Sequence, residues 1–100
     1  MQTNLSFESN KFKRAIMTRH AQKRSAQRGF NLESVELIRS FGERSHDGCG
    51  GIRCLMTRTV VEKLGNLLGR TQRLDSLAGA YVVVSAEDDA IVITASHRYQ

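Results

Sequence analysis

Two hydrophobic periodicities alternate along the chain, and they predict where its helices and strands lie. Residues 1–14 follow neither period and predict a flexible basic N-terminal arm ahead of a single domain over residues 15–100. Residues 15–28 contain good helix formers without proline or glycine, and Gly29 follows as a left-handed stop, so they predict a first helix. Asn31 is a suitable cap for a second helix that ends at Gly42. The predicted core face of the second helix consists of Leu32, Val35, Leu37, Ile38 and Phe41.

Strand patterns follow the second helix and also close the chain. Residues 43–47 and 52–56 flank the glycine-rich segment 48–51, which predicts a hairpin with a loose loop. Residues 80–86 and 90–96 are rich in Val, Ile, Tyr and Thr, with three acidic residues between them. Because β-branched residues favour strands and acidic residues favour turns, this region predicts a second hairpin.

A third helix is predicted between the two hairpins. Thr57 or Thr59 is a suitable cap, and Gly69 follows the last apolar position. The predicted apolar face of this helix contains Val60, Val61, Leu64, Leu67 and Leu68. Residues 70–79 are mostly polar and predict a loop with an extra helical turn.

The order of elements predicts the fold class. Two helices, a hairpin, a helix and a second hairpin give the order ααββαββ. Short connections and hairpins favour an antiparallel sheet with its helices on one side. We therefore expect a two-layer α+β domain, with helices packed on one face of a mainly antiparallel four-stranded sheet.

Length and composition limit the protein class. The 100 residues are enough for one hydrophobic core, and the 40% hydrophobic and 25% charged content is typical of a folded globular chain. No apolar stretch approaches the length that crosses a bilayer, and the N-terminus lacks the apolar block of a secretory signal. We expect a cytoplasmic protein without membrane partners.

The net charge of +5 is unevenly distributed along the chain. The first thirty residues contain seven Lys and Arg against one acid, Glu8, whereas the remaining seventy are nearly balanced. A polarised positive charge attracts polyanions and accelerates their encounter with the protein. The charge distribution is therefore consistent with a surface that binds a polyanion, while solubility alone also favours part of this charge.

Three side chains of the first helix lie in one row. His20, Arg24 and Arg28 recur at steps of four residues, and this row overlaps the sector of the helix that holds Met17 and Ala21. A buried guanidinium needs a partner, so one interpretation pairs the two arginines with acids, chosen from Glu36, Glu43 and Asp47. The other interpretation places the row in a cleft, where Arg24 and Arg28 grip a phosphate and His20 exchanges a proton. Exposed Arg19 and Lys23 would add phosphate contacts.

The C-terminal residues His97, Arg98 and Tyr99 form a second group of candidates. Their chemistry suits RNA cleavage without metal, with His as acid or base, Arg against the phosphate charge and Tyr stacked on a base. His46 is a possible second acid or base. The alternative is that these terminal residues are simply solvated.

Cofactor and metal sites are not expected. His46, Cys49, Cys54 and His97 could in principle supply four zinc ligands, but the cysteine spacing is not that of a zinc finger. The glycine-rich segment 48–51 lacks the Lys and Ser or Thr of a nucleotide-binding loop. We therefore predict no metal and no cofactor.

The first helix and its neighbourhood resemble a known family. The segment from Thr18 to Arg24, followed by Gln27, Arg28, Gly29 and Phe30, looks like the signature of the domain-of-unknown-function family 4258, and the closing strands are similar too. That family's layout is similar to the RelE-like toxins, which cut RNA without metal. The resemblance implies that His20, Arg24 and Arg28 are motif residues. Phe30 stands where an aliphatic residue is usual, and residues 57–79 depart from the pattern.

Three hypotheses of function follow. The first is a metal-independent endoribonuclease of the RelE-like toxin type, with His20, His97 and Arg98 as catalytic residues. The second is a noncatalytic module that binds RNA or DNA through the same surface. The third is a protein-interaction adaptor whose basic patch docks an acidic partner such as an antitoxin.

Overall fold

The computed structural model describes residues 15–98, and these form a five-stranded mixed sheet together with helices. The predicted N-terminal arm lies outside the described residues, and so does Tyr99. The strands are β1 (Ile16–Met17), β2 (Glu43–His46), β3 (Gly51–Leu55), β4 (Ala80–Ser85) and β5 (Ile91–His97). The helices are α1 (Arg19–Arg28), α2 (Leu32–Phe41), α3 (Arg58–Leu68) and α4 (Gln72–Asp75).

The sheet is mostly antiparallel, as predicted, but its strand number was predicted wrongly. Its order is β1-β5-β4-β3-β2, and only β1 runs parallel to its neighbour, β5. The α+β class is therefore confirmed, whereas the four-stranded sheet and the order ααββαββ are corrected by an additional strand at the start.

The additional strand arises where the first helix was predicted to begin. The backbone N–H of Ile16 donates to the carbonyl of Ala90 at 2.7 Å, and the N–H of Thr18 donates to that of Val92 at 3.0 Å. These bonds extend the sheet beyond β5, so tertiary pairing overrides the helix propensity of residues 15–17. The Thr18 hydroxyl then caps α1 by accepting from the N–H of Ala21 at 3.1 Å.

Caps fix the other helix boundaries close to their predicted positions. Asn31 accepts from the Ser34 N–H, Thr57 accepts from the Val60 N–H, and Thr71 caps the short helix α4. Gly29 ends α1 in the left-handed conformation, with a φ of 75°. Because only glycine adopts this conformation without strain, the chain turns directly from α1 into α2.

One face of the sheet carries the hydrophobic core. Residues that share this face, such as Cys54, Val82 and Ala95, stand opposite one another in the strand register and are fully buried. All four helices contribute to the same cluster, with α1 packing on β5 and α2 on β3 and β4. The helical members of the cluster are Ala21, Val35, Ile38, Val61, Leu64 and Leu74.

Four predicted core positions are wrong. Leu32 and Phe41 of α2 are 40% and 49% exposed, and Leu67 and Leu68 of α3 are more exposed still. The buried stripe on each of these two helices is therefore narrower than the apolar pattern indicated. Arg39, in contrast, is almost fully buried on α2 and was not predicted to belong to the core.

The glycine-rich connection between β2 and β3 is organised by Asp47. Its carboxylate accepts from the N–H groups of Cys49 at 2.7 Å and Gly51 at 2.9 Å. These bonds to the charged form lower the pKa of Asp47 below its usual value. The segment is therefore a turn held by hydrogen bonds rather than the loose loop that was predicted.

Gly42 lies where the end of α2 closely approaches the backbone of β3. A Cβ atom there would lie 2.7 Å from the Ile38 carbonyl oxygen and 2.9 Å from backbone atoms of Cys54 and Leu55. A Cβ atom on Gly65, in the interior of α3, would lie 3.6 Å from the Arg70 side chain, which is its nearest neighbour outside the backbone of its own helix. The two glycines therefore have different roles.

We expect Gly42→Ala to destabilise the fold by about 2 kcal/mol or more, because backbone atoms must move to admit the methyl group. Gly65→Ala serves as the matched control and should stabilise the fold by about 0.5–1 kcal/mol, since alanine favours the helix. Urea denaturation followed by circular dichroism measures both changes. Equal stabilities of the two variants would contradict the tight contact at Gly42.

Candidate nucleic-acid interface

The surface contains a cleft where α1 meets α2, and we call it the junction cleft. Its volume is about 480 Å³, and its polar and cationic lining comes from residues 28–34, from residues 72–77 and from His97. The side chains that matter for its chemistry are Arg28, Phe30, Ser34, Arg73, Ser76 and His97. The cleft therefore combines the end of α1, the start of α2, the helix α4 and the end of β5.

The turn at Gly29 brings Arg28 into this cleft. Arg28 is the last residue of α1 and is half-buried, and α2 begins three residues beyond the turn. The first turn of α2 therefore faces the same space, with Asn31 and Ser34 in the lining. Because the amino end of a helix carries partial positive charge, it adds to the attraction for an anion.

His97, at the end of β5, also lines the junction cleft. Its ring is 5.0 Å from the ring of Phe30, centroid to centroid, and its Nε2 is 3.4 Å from the carbonyl oxygen of Ser76. Phe30 is itself buried, so its ring is a fixed packing partner for the imidazole. These contacts hold a half-buried His97 at the end of β5, which answers the alternative in which it is merely solvated.

Arg73 completes the cleft, and sequence reasoning missed it. Its guanidinium is 3.6 Å from the carboxylate of Glu33, and both side chains are more than 60% exposed. An exposed ion pair of this kind contributes little free energy, so an incoming anion can replace the carboxylate. The sequence predicted a helical turn within residues 70–79 but gave no signal that this turn lies beside the end of α1.

Only one residue of the predicted row enters the junction cleft. His20 is exposed in the first turn of α1 and is separated from Arg28 by about 12 Å along the helix axis, given a rise of 1.5 Å per residue. Arg24 is half-buried, and its guanidinium donates to the amide oxygen of Gln27 at 3.4 Å. Arg19 and Lys23 are exposed on α1, outside the lining of the cleft.

The acids that were proposed as partners of the row are engaged elsewhere. Glu36 accepts from the guanidinium of Arg39 at 2.8 Å and from the N–H of Ala15 at 2.7 Å. Asp47 ties its own turn, and Glu43 is 3.5 Å from the hydroxyl of Thr57. One of the two interpretations assigned an ion pair with these acids to Arg24 and Arg28; the buried arginine that pairs with Glu36 in the structure is Arg39.

Arg98 enters a different cleft. His97 and Arg98 are consecutive, and residues at the end of a strand alternate between its two sides. Arg98 accordingly lines a smaller hollow of about 280 Å³ at the end of the sheet, together with Arg58 and Thr57, and we call this the end cleft. His20 lines neither cleft, so the predicted trio of His20, His97 and Arg98 is divided among three places.

The remaining candidates stay apart from both clefts. His46 is exposed at the end of β2, opposite Ile52 in the strand register. Within the described chain, no group of three or more His, Cys, Asp or Glu side chains is placed to hold a metal ion. No helix in residues 15–98 is long and apolar enough to span a membrane.

Another hollow lies on the outer side of α2 and has a volume of about 600 Å³. Leu32, Leu37 and Phe41 line it together with two acids, Glu33 and Glu36. Carboxylates repel phosphates, so this groove does not suit a polyanion. The junction cleft is the better candidate, because its charged lining is cationic.

Comparisons with known proteins add no assignment. A search against family models, curated proteins and solved structures found no match for this chain. The resemblance to the domain-of-unknown-function family 4258 therefore stays a prediction.

The two cysteines differ in their surroundings and allow a test of the sheet. Cys54 is fully buried on β3, and burial raises the pKa of its thiol, whereas Cys49 lies exposed in the turn. Only a thiolate attacks a disulfide reagent, and only where the reagent can reach it. We expect Cys49 to react rapidly with dithiobis-nitrobenzoate at neutral pH and Cys54 to react only after unfolding.

Release of thionitrobenzoate measures both reactions, in buffer and in denaturant. Cys49→Ser is the control, because it should remove the fast phase and leave the slow one. Two fast phases in the folded protein would contradict the burial of Cys54.

Proposed function

We propose that the protein binds RNA and that the junction cleft holds one of the RNA phosphates. The observation that carries this proposal is the convergence of Arg28, Arg73 and His97 on one open cleft. A guanidinium is planar and binds phosphate oxygens in pairs, and two such groups on separate elements can grip one phosphate from two sides. The concentration of positive charge in the first thirty residues of the sequence supports RNA as the ligand, because it attracts polyanions to the protein.

An aromatic ring in the lining of the junction cleft favours RNA over a small inorganic anion. His97 is half-buried beside the cationic groups, so a base can stack on its ring where the phosphate is bound. A free phosphate would use only the charged part of the lining. Nucleic acid uses both parts.

Replacing both cleft arginines, Arg28→Gln with Arg73→Gln, should weaken binding of a fluorescent single-stranded RNA about tenfold or more, because charge-assisted hydrogen bonds to phosphate are removed. The negative slope of log K against log salt concentration should also decrease in magnitude by about 0.7 for each phosphate that the variant no longer neutralises. Fluorescence anisotropy over a series of salt concentrations measures both quantities.

The matched control removes the same charge elsewhere, by Arg53→Gln with Lys63→Gln. Arg53 lies over the ring of Tyr81, and Lys63 is exposed on α3, so neither lines the junction cleft. Equal loss of affinity in the two double variants would show that net charge, and not the cleft, binds the RNA.

RNA cleavage is a second candidate function, and the position of His97 favours it. In a metal-independent reaction, the imidazole removes the proton of the RNA 2′-hydroxyl, that oxygen attacks the adjacent phosphorus, and the 5′-oxygen leaves. Arg28 and Arg73 would stabilise the charge that develops on the phosphate. No second histidine lines the described part of the cleft, so water would protonate the leaving oxygen.

We expect any cleavage of single-stranded RNA to persist in EDTA and to disappear in His97→Gln, because the proposed base is the imidazole. Gel analysis of labelled RNA measures cleavage, and the 2′,3′-cyclic phosphate end identifies the reaction. His20→Gln is the matched control and should cleave like the unaltered protein. Intact RNA at micromolar protein would exclude this activity and leave RNA binding as the function.

A further inference from the structure

The junction cleft and the end cleft lie on two sides of one ridge. Ser76 and Leu77 line the junction cleft, and the next two residues, Ala78 and Gly79, line the end cleft. His97 and Arg98 divide in the same way. The ridge therefore consists of two short segments, residues 76–79 and 97–98, with one cleft on each side.

Hydrogen bonds hold the two segments of the ridge together. The N–H of Arg98 donates to the carbonyl of Gly79 at 2.6 Å, and the ring of His97 approaches the carbonyl of Ser76 at 3.4 Å. His97 also stands opposite Ala80 in the register of β4 and β5. The clefts are thus fixed relative to each other by the sheet itself.

The end cleft is cationic, like the junction cleft. Arg58 and Arg98 line it and are both exposed. Arg58 is the first residue of the eleven-residue helix α3, so the positive end of that helix faces the same hollow. Glu43 lies at the margin, 3.5 Å from the Thr57 hydroxyl, which leaves two cations against one acid.

Two cationic clefts across a shared ridge suit a ligand with repeated negative charges. A single phosphate would occupy one cleft only, whereas a polynucleotide presents one charge per residue. Leu55 adds a half-buried apolar side chain to the lining of the end cleft. A base packs against such a side chain only when it is unstacked, which favours a single strand over the interior of a duplex.

We infer that the ligand is a single strand of RNA that crosses the ridge, with one phosphate at Arg28 and Arg73 and a second at Arg58 and Arg98. This inference rests on the proposed function of the junction cleft and extends it to the class of substrate. A short ligand that fills only the junction cleft therefore does not depend on the end cleft.

The test compares two ligands and three double variants. The ligands are a labelled single-stranded RNA long enough to span both clefts and a mononucleotide, with binding measured by anisotropy and by calorimetry. Arg58→Gln with Arg98→Gln should weaken the long RNA about tenfold and reduce its salt slope by about 0.7 for each phosphate that the end cleft no longer neutralises. The same variant should bind the mononucleotide like the unaltered protein. Arg53→Gln with Lys63→Gln is again the charge-matched control.

The failures of the two proposals are distinguishable. The end-cleft variant is Arg58→Gln with Arg98→Gln, and the junction-cleft variant is Arg28→Gln with Arg73→Gln. Suppose that the long RNA binds the end-cleft variant as tightly as the charge-matched control and binds the junction-cleft variant more weakly. This result would overturn the inference that the strand crosses the ridge, but the proposed function would stand. If the junction-cleft variant equals the control, the proposed function itself fails. An RNA duplex that binds as tightly as the single strand would also overturn the inference. Thermal unfolding of each variant confirms that these substitutions leave the fold intact.

Discussion

The buried guanidinium of Arg39 joins the helix α2 to the sheet. It contacts the Glu36 carboxylate at 2.8 Å and the Asp89 carbonyl oxygen at 3.4 Å, the latter in the turn between β4 and β5. Arg44 of β2 extends the network by donating to Asp89 and to the Arg39 carbonyl. A buried charge without such partners would cost several kcal/mol, so α2, β2 and the turn must keep one arrangement. Glu36 also accepts from the Ala15 N–H and thereby fixes the approach to β1.

The position of α2 in turn forms the junction cleft. Its amino end lies beside Arg28 because Gly29 turns the chain at once, and its carboxyl end is held close to β3 at Gly42. Between these fixed ends, the first turn of α2 faces α4 and the end of β5, where Arg73 and His97 lie. The cleft is therefore a product of the same packing that stabilises the core. Its charged groups sit on regular elements rather than on long loops, which favours a preformed phosphate site.

Local patterns predicted much of the fold and only part of the site. Thr57, Asn31 and Gly29 act on neighbouring backbone groups, so short-range sequence was enough to place the helix ends. The parallel strand at Ile16–Met17 depends on hydrogen bonds to β5, which is more than seventy residues away, and no local pattern indicates it. For the site, the sequence identified Arg28 and His97 separately. It provided no means of bringing Arg73 to them or of directing Arg98 elsewhere.

The sequence by itself determined the α+β class, the helix caps, the closing hairpin and the concentration of positive charge near the amino terminus, because each depends on composition or on residues a few positions apart. Only the tertiary structure decided which cations share a cleft. Helical spacing grouped His20 with Arg28 on one row, yet the axis of α1 separates them, and the partners of Arg28 come from α4 and β5. Such groupings depend on packing and strand register, which act across the whole chain and leave no local pattern in the sequence.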